Sequence, residues 1–315
     1  MNPAPALDPL SAWVAGDPVS HRLLELTRKI AGTPSTVLIR GESGAGKELL
    51  AQILHLLGPN AGQPWIKIDC ASLPEELLES ELFGYERGAF TGAEHTKPGR
   101  LELAGEGTLV LDEVAALGLP LQAKLLRVLE EKSFERLGGN RSLHIQARMV
   151  ALTSVDLERA VAQHTFREDL FYRLNVVPLL IPPLRLRPDD VPPLAAHFLE
   201  RMCSLHHRPS MQLEPPALAA LRNYAFPGNV RELRNIIERT VIHCDGNLIR
   251  LRDLPLDLGP QGKADSAPER TLAEVERDYI AHVLQRHRGH KTEVARILGI
   301  SRKTLLEKRR RYRLD

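Results

Sequence analysis

The run Gly41-Glu42-Ser43-Gly44-Ala45-Gly46-Lys47-Glu48 places glycine, four residues, glycine and then lysine, the spacing of a loop that wraps a phosphate. Glycines let consecutive backbone N–H groups turn toward one anion, a helix starting at Lys47 adds its positive end, and the ammonium supplies a full charge. The pattern predicts a triphosphate site. Glu48 stands where many such loops carry Ser or Thr, so no hydroxyl is available there for Mg2+; phosphates, water and a carboxylate from elsewhere must hold the metal. Thr108 to Glu113, TLVLDE, is an apolar run ending in two acids, the form of a buried parallel strand that meets a nucleotide at its C-terminal end. Asp112 is placed to hold Mg2+ through water, and Glu113 to polarise the attacking water. Thr153 and Ser154, closing another apolar run, could touch the γ-phosphate or its water, although hydroxyls at strand ends are also common caps. Arg167 and Arg173, in FREDLFYRLN, could complete the site from a neighbouring subunit, the plainer reading being surface pairing with Glu168 and Asp169. Arg231, near the start of a helix at Asn229, could bring a cation back over the nucleotide.

These residues need a strand, turn and helix frame. Val37 to Ile39 reads as a short buried strand before the loop, and Leu49, Leu50, Ile53, Leu54 and Leu57 recur at helical spacing after it. Trp65–Asp69 alternates as a strand, Leu73–Phe83 reads as an amphipathic helix, Gln122–Glu130 as a helix and Val176–Ile181 as a strand bounded by prolines. From Arg187 the chain becomes helical and proline-punctuated, with helices expected over Val191–Leu205, Pro216–Tyr224 and Asn229–Cys244. Between the helix at Leu73 and the acidic strand lies Gly88-Ala89-Phe90-Thr91-Gly92-Ala93, an aromatic at a glycine-hinged tip. Such an aromatic either meets a partner or folds back on the body, and the residues alone leave both open.

At the C-terminus, Thr292–Leu298 and Ser301–Tyr312 predict two short helices around a turn at Gly299 and Ile300. Val294, Ala295, Leu298, Ile300, Leu305 and Leu306 supply an apolar core, and Arg302, Lys303, Thr304, Lys308 and Arg309 make the second helix a recognition helix for double-stranded DNA. Thr271 and Glu274 form a capping box for a preceding helix, whose Leu272, Val275, Tyr279 and Val283 share a face. From Arg286 to Asp315 there are eleven Lys or Arg against three Asp or Glu, whereas the chain carries 42 against 40, so the basic charge is concentrated at this end. A composition of 43% hydrophobic and 26% charged residues over 315 positions is that of a globular protein of two or three domains. No run is long enough to span a membrane, and MNPAPALDPL lacks the regions of a signal peptide, which reads as cytoplasmic. Cys70, Cys203 and Cys244, without CxxC spacing, read as reduced core residues rather than a zinc module.

With these pieces laid out, the sequence resembles the bacterial enhancer-binding proteins, the AAA+ activators of sigma-54 RNA polymerase, from about Val14 to Leu314. LLESELFGYERGAFTGA contains the family's GAFTGA loop intact, and GESGAGKE, GTLVLDEV, FREDLFYRLNVV and FPGNVRELRNIIER are close to its blocks; HKTEVARILGISRKTLLEKRRRYRL looks like its Fis-type helix-turn-helix. The resemblance implies an α/β P-loop ATPase with a parallel sheet, a small helical lid and a C-terminal all-α DNA-binding domain. It divides the chain into a disordered 1–13, an ATPase subdomain 14–184, a lid 185–258, a linker 259–270 and a helix-turn-helix domain 271–315. By position, Lys47 and the surrounding loop bind ATP, Asp112 and Glu113 serve Mg2+ and water, and Thr153 is the first sensor. Arg167 and Arg173 become intersubunit arginines of a ring, with a hexamer expected, Arg231 the second sensor, and Phe90 with Thr91 the contact to sigma-54. The implied function is a sigma-54-dependent activator that couples ATP hydrolysis to promoter opening from an upstream enhancer. The alternative is a DNA-binding regulator acting by occupancy, with ATP controlling only assembly. Ala45 replaces a usual Thr, Ser154 a usual Asn and Phe226 a usual Trp. Asp69 stands where the family has an Asn that restrains the catalytic Glu; an Asp there would repel Glu113 or share its proton. No sensory domain is expected before Val14, which implies control in trans, by expression, or a shortened form.

Overall fold

The computed structural model describes residues 12–255, 276–277, 279–281, 283–284 and 291–312. The chain divides into two units, Met1–Leu256 and Asp257–Asp315. In the first, five short aliphatic runs pair as a parallel sheet: β1 (Val37–Arg40), β2 (Trp65–Asp69), β3 (Thr108–Asp112), β4 (Arg148–Thr153) and β5 (Val177–Leu180). Their order is β2-β3-β4-β1-β5.

A parallel sheet must be covered on both faces. Helices α1 (Pro18–Ala31), α2 (Lys47–Leu56), α3 (Glu75–Phe83), α4 (Leu119–Glu131) and α5 (Glu168–Leu174) do this. Successive strand residues point to opposite faces, so Leu38, Leu109 and Leu111 join a core with α3, α4 and α5. Their neighbours Val37, Ile39 and Val110 join a second core with α1 and α2. Two helix starts differ from the apolar periodicity for the same reason: α3 begins one residue after Pro74, and α4 begins at Leu119 with Pro120 in its first turn, where the missing N–H costs nothing. The register aligns Asp69 with Asp112 and Arg40 with Thr153, so the ends of four strands converge on one edge of the sheet.

Three further helices, α6 (Val191–Leu205), α7 (Pro215–Arg222) and α8 (Asn229–His243), form a lid with its own core around Phe226, Leu233 and Ile237. Phe226, where the resemblance led to Trp, is fully buried.

In the second unit, α9 (Lys291–Ile297) and α10 (Arg302–Tyr312) flank a turn in which Gly299 takes a φ of 63°. Ile280, Val283, Val294, Ala295 and Leu305 make its buried core. Two expectations are corrected here. Tyr279 is 58% exposed while Ile280 is buried, so the core face of that segment runs through Ile280 and Val283, and Leu306 is 38% exposed beside buried Leu305. In both places two apolar neighbours compete, and only one can face inward on a helix. The capping box at Thr271 and Glu274, the apolar Leu272 and Val275, the linker 259–270 and residues 1–11 lie outside the described residues. Among the described residues no helix is long and apolar enough to cross a membrane, and the three cysteines are buried free thiols.

Candidate active site

The chain leaves β1 at Arg40 and turns through Gly41–Gly46 into α2. Gly44 and Gly46 have φ of 76° and 111°, conformations that a side chain disfavours. At Gly44 a Cβ would also lie 2.4 Å from the Gly228 carbonyl oxygen. Lys47 opens α2 and is nearly buried; its ammonium donates to Gly41 O at 2.9 Å and pairs with Glu113 Oε1 at 3.3 Å. The loop is thus a ring of small residues closed by one cation, the shape and charge that fit a chain of phosphates.

Glu113 follows β3 with a φ of 51°, a left-handed conformation at a residue that carries a side chain, and such residues cluster at functional sites. Ser154 donates to Glu113 Oε2 from both its N–H (2.9 Å) and its hydroxyl (2.8 Å). Burial pushes the Glu113 carboxyl up, but the two Ser154 bonds and the charge of Lys47 outweigh it and hold it below its ordinary value. The result is an ionised, oriented carboxylate beside an open cleft of 670 Å³ that Ala71, Ala115, Ser154 and Arg159 help to line.

Thr153 is fully buried, and its hydroxyl accepts from the Val155 N–H. Alternation along the strand turns it inward, so contact with Glu113 falls to Ser154. Asp69 is held within its own turn. Its Oδ1 accepts the Ala71 N–H at 2.9 Å, while the Glu113 carboxylate is taken by Lys47 and Ser154. The combined negative field acts on the neighbouring thiol: burial, with the charges of Asp69, Asp112 and Glu113, pushes Cys70 up to about 12.

Asp112 Oδ2 meets the Lys67 ammonium at 2.9 Å, and Lys67 also reaches Glu48 at 2.7 Å. Burial pulls Lys67 down, yet its two carboxylate partners hold it above its ordinary value. Glu48 is therefore drawn to Lys67. Among the described residues no group of three His, Cys, Asp or Glu could hold a metal alone. Asp112, which carries the Lys67 ammonium on its carboxylate, is the residue at this edge that would hold a Mg2+ ion, with the other ligands coming from phosphate and water.

The lid closes on the loop from the other side. Arg231 donates to Ser43 Oγ at 2.8 Å, Asn229 Nδ2 to Ser43 O and to Glu42 Oε2 at 3.1 Å each, and the Val230 N–H to Gly44 O at 3.1 Å. Arg185 grips Glu42 through both guanidinium nitrogens at 2.8 and 2.6 Å. With Arg185 as the main cause and Asn229 second, the Glu42 carboxyl is held at about 2. Lys67, Arg185 and Asn229 were missed from sequence. Only Lys67 left a signal, being on the same face of the alternating strand as Asp69.

Arg167 and Arg173 stand apart from this cluster. Arg167 precedes α5, its side chain bound to Asp169 at 3.1 and 2.7 Å, and Arg173 is exposed in the last turn of α5. Within one subunit they contact neither Lys47 nor Glu113.

The GAFTGA segment is a hydrogen-bonded turn. Gly88 N–H donates to Ala93 O and Ala93 N–H to Phe90 O, with Gly88 and Gly92 at φ of 83° and 101°. Ala93 is buried; Thr91 and Gly92 are exposed; Phe90 is 47% exposed and meets Tyr85 edge to face at 5.0 Å. The aromatic is half turned back, with one side offered to solvent. In α10, Arg302 and Lys303 are exposed, Thr304 is tied to the Ser301 cap, and Arg309 is half-buried. Lys308 is separated from them: its ammonium meets Glu276 at 2.5 Å, beside the Tyr312 hydroxyl, which donates to the same carboxylate at 2.6 Å.

Comparison with known proteins agrees with this arrangement. A model described as the sigma-54 interaction domain matches residues 14–180, one for an AAA+ ATPase lid domain 185–271, and one for bacterial regulatory proteins of the Fis family 271–312. The chain is 46% identical over 312 residues to the regulatory protein AtoC of Escherichia coli K12, covering 96% of this chain and 68% of AtoC. It is 51% identical over 247 residues to the Nif-specific regulatory protein of Azorhizobium caulinodans, covering 78% and 40%. Among solved structures, NtrX from Brucella abortus in complex with ATP superposes with a TM-score of 0.74 at 34% identity, over 95% of this chain and 68% of NtrX.

Proposed function

Because this chain belongs to the AAA+ family defined by the sigma-54 interaction domain, we propose that its Lys47–Glu113 site drives promoter opening through the Gly88–Ala93 turn. It is an ATPase and a sigma-54-dependent transcriptional activator with a Fis-type DNA-binding domain. The observation that carries the mechanism is the pairing of Lys47 with Glu113 while Ser154 holds the other carboxylate oxygen. ATP, by drawing the ammonium to its own phosphates, leaves Glu113 held by Ser154 alone and ready to orient water.

In this reading the loop N–H groups and Lys47 bind the phosphates, and Arg231 caps the loop from the lid. Asp112 would hold Mg2+ through water, and the ion would supply neutralisation of charge developing on the phosphates. Arg167, released from Asp169, and Arg173 reach the site of the next subunit in a ring, a hexamer on the family's pattern. A guanidinium supplied in trans is worth several orders of magnitude in phosphoryl transfer. Phe90 and Thr91 contact sigma-54, while Arg302, Lys303, Thr304 and Arg309 contact enhancer DNA in the cytoplasm.

Transcription in vitro from a sigma-54 promoter tests this directly. Open complexes are expected with ATP and absent with a non-hydrolysable analogue. Equal activity with both would favour regulation by DNA occupancy.

A further inference from the structure

Arg187 and Asp190 are a buried ion pair that ATP chemistry does not call for. Asp190 is fully buried and Arg187 is 3% exposed. The carboxylate accepts four donors: Gly16 N–H at 2.7 Å and Asp17 N–H at 2.8 Å on Oδ1, Ser20 Oγ at 2.5 Å and Arg187 at 3.2 Å on Oδ2. The guanidinium's other terminal nitrogen donates to Ala45 O at 2.7 Å. One end of this chain of contacts is therefore the segment entering α1, and the other is the phosphate loop. The approach is close: a Cβ on Gly16 would lie 2.3 Å from Asp189 O.

The geometry gives the pair a task. In a trans peptide the C=O and the following N–H point in opposite directions, so a donor that holds the Ala45 carbonyl outward aims the Gly46 N–H into the loop. Asn229 holds Ser43 O in the same way, and the Val230 N–H holds Gly44 O. Of these three holders, Arg187 is the one braced by residues ahead of α1. We propose that Arg187 is a positioning residue for the phosphate loop, and that through Asp190 it ties nucleotide affinity to the position of Gly16, Asp17 and Ser20. The chain ahead of α1 thereby becomes a handle on the nucleotide site: pulling on it loosens Asp190, then Arg187, then the Gly46 N–H. This rests on reading the Lys47 loop as the ATP site.

The test is the affinity of the full chain for ADP, read by calorimetry alongside the melting temperature without nucleotide. Arg187→Lys, which keeps the charge but loses the two-pronged reach, is expected to weaken ADP binding about ten-fold, the effect of one charge-assisted hydrogen bond. Ser20→Ala removes a hydroxyl that bonds Asp190 and not the loop, yet should weaken binding about three-fold, and the double variant should be no weaker than Arg187→Lys, since the two act through one chain. A purely structural role would lower the melting temperature and leave ADP affinity of the folded protein unchanged. Wild-type affinity in Ser20→Ala, or full additivity of the two changes, overturns the proposal. If Arg187→Lys does not fold, the Ser20→Ala affinity decides alone. Wild type that fails to bind ADP would instead overturn the reading of the loop itself.

Discussion

Glu42 shows how the lid is fastened to the phosphate loop, and its strength can be worked out. Its carboxyl is held at about 2 against an ordinary 4.5, chiefly by Arg185 and then by Asn229. At ~1.36 kcal/mol per pH unit, that difference caps the stabilisation at about 3.4 kcal/mol. Arg185 and Glu42 are 45% and 42% exposed, and screening by water reduces the figure to about 1 kcal/mol. A carboxylate with a depressed value stabilises the fold above its unfolded value and stops doing so as it protonates. The contribution is therefore full above ~pH 4.5 and is lost as pH falls toward about 2. Glu42→Gln, Arg185→Met and the double variant should be unfolded in urea, following Trp13 and Trp65, the chain's two tryptophans, both of which pack in the first unit. Glu42→Gln is expected to cost about 1 kcal/mol at pH 7, Arg185→Met to destabilise as well, and the double change to cost little more than Glu42→Gln, a coupling that shrinks when the cycle is repeated at ~pH 3.5. A coupling below ~0.3 kcal/mol, or one of equal size at both pH values, would refute the reasoning.

Glu113→Gln should keep ATP affinity while turnover falls by about a hundred-fold or more, because Lys47 still meets the phosphates but the water loses its carboxylate; steady-state ATPase measures both. Arg173→Ala should be inactive alone and partly recover turnover when mixed with Lys47→Ala subunits, each supplying the half-site the other lacks. An absence of rescue in assemblies shown to be mixed would sink the intersubunit role. On DNA, Lys303→Ala should weaken binding uniformly and lower the salt slope by about 1. Lys308→Ala should mainly lower the melting temperature of the C-terminal unit, because its ammonium is spent on Glu276; band shifts over a salt series separate the two.

Much of this was legible in the sequence for physical reasons. Uninterrupted apolar runs made β1, β3 and β4 evident, and the glycine spacing with a following helix defined the phosphate loop. The C-terminal helices followed from a small apolar core beside a basic face. The rest depended on contacts between residues far apart in the chain. Nothing local in Arg185 or Asn229 says that it will meet Glu42, 143 and 187 positions away. Likewise the field of Asp69 on its neighbours could be anticipated, but not that Lys47 and Ser154 would take the Glu113 carboxylate first. The residues alone leave both Thr153 and Ser154 open at the end of β4, and it is the pleat that turns Thr153 inward and puts Ser154 on Glu113. Pairs of apolar neighbours, Tyr279 with Ile280 and Leu305 with Leu306, were ambiguous because either could face the core until a partner helix chose.

The central claim is that nucleotide state at Lys47 and Glu113 is read out by Phe90 and Thr91 on sigma-54. A contact of equal strength in every state transmits no work. The measurement is sigma-54 capture by wild type and Thr91→Ala with ATP, ADP and a transition-state analogue of the γ-phosphate. Capture should peak with the analogue and vanish in Thr91→Ala, whose ATPase and DNA binding stay near wild type; equal capture in all three states, or normal promoter opening by Thr91→Ala, would contradict the account.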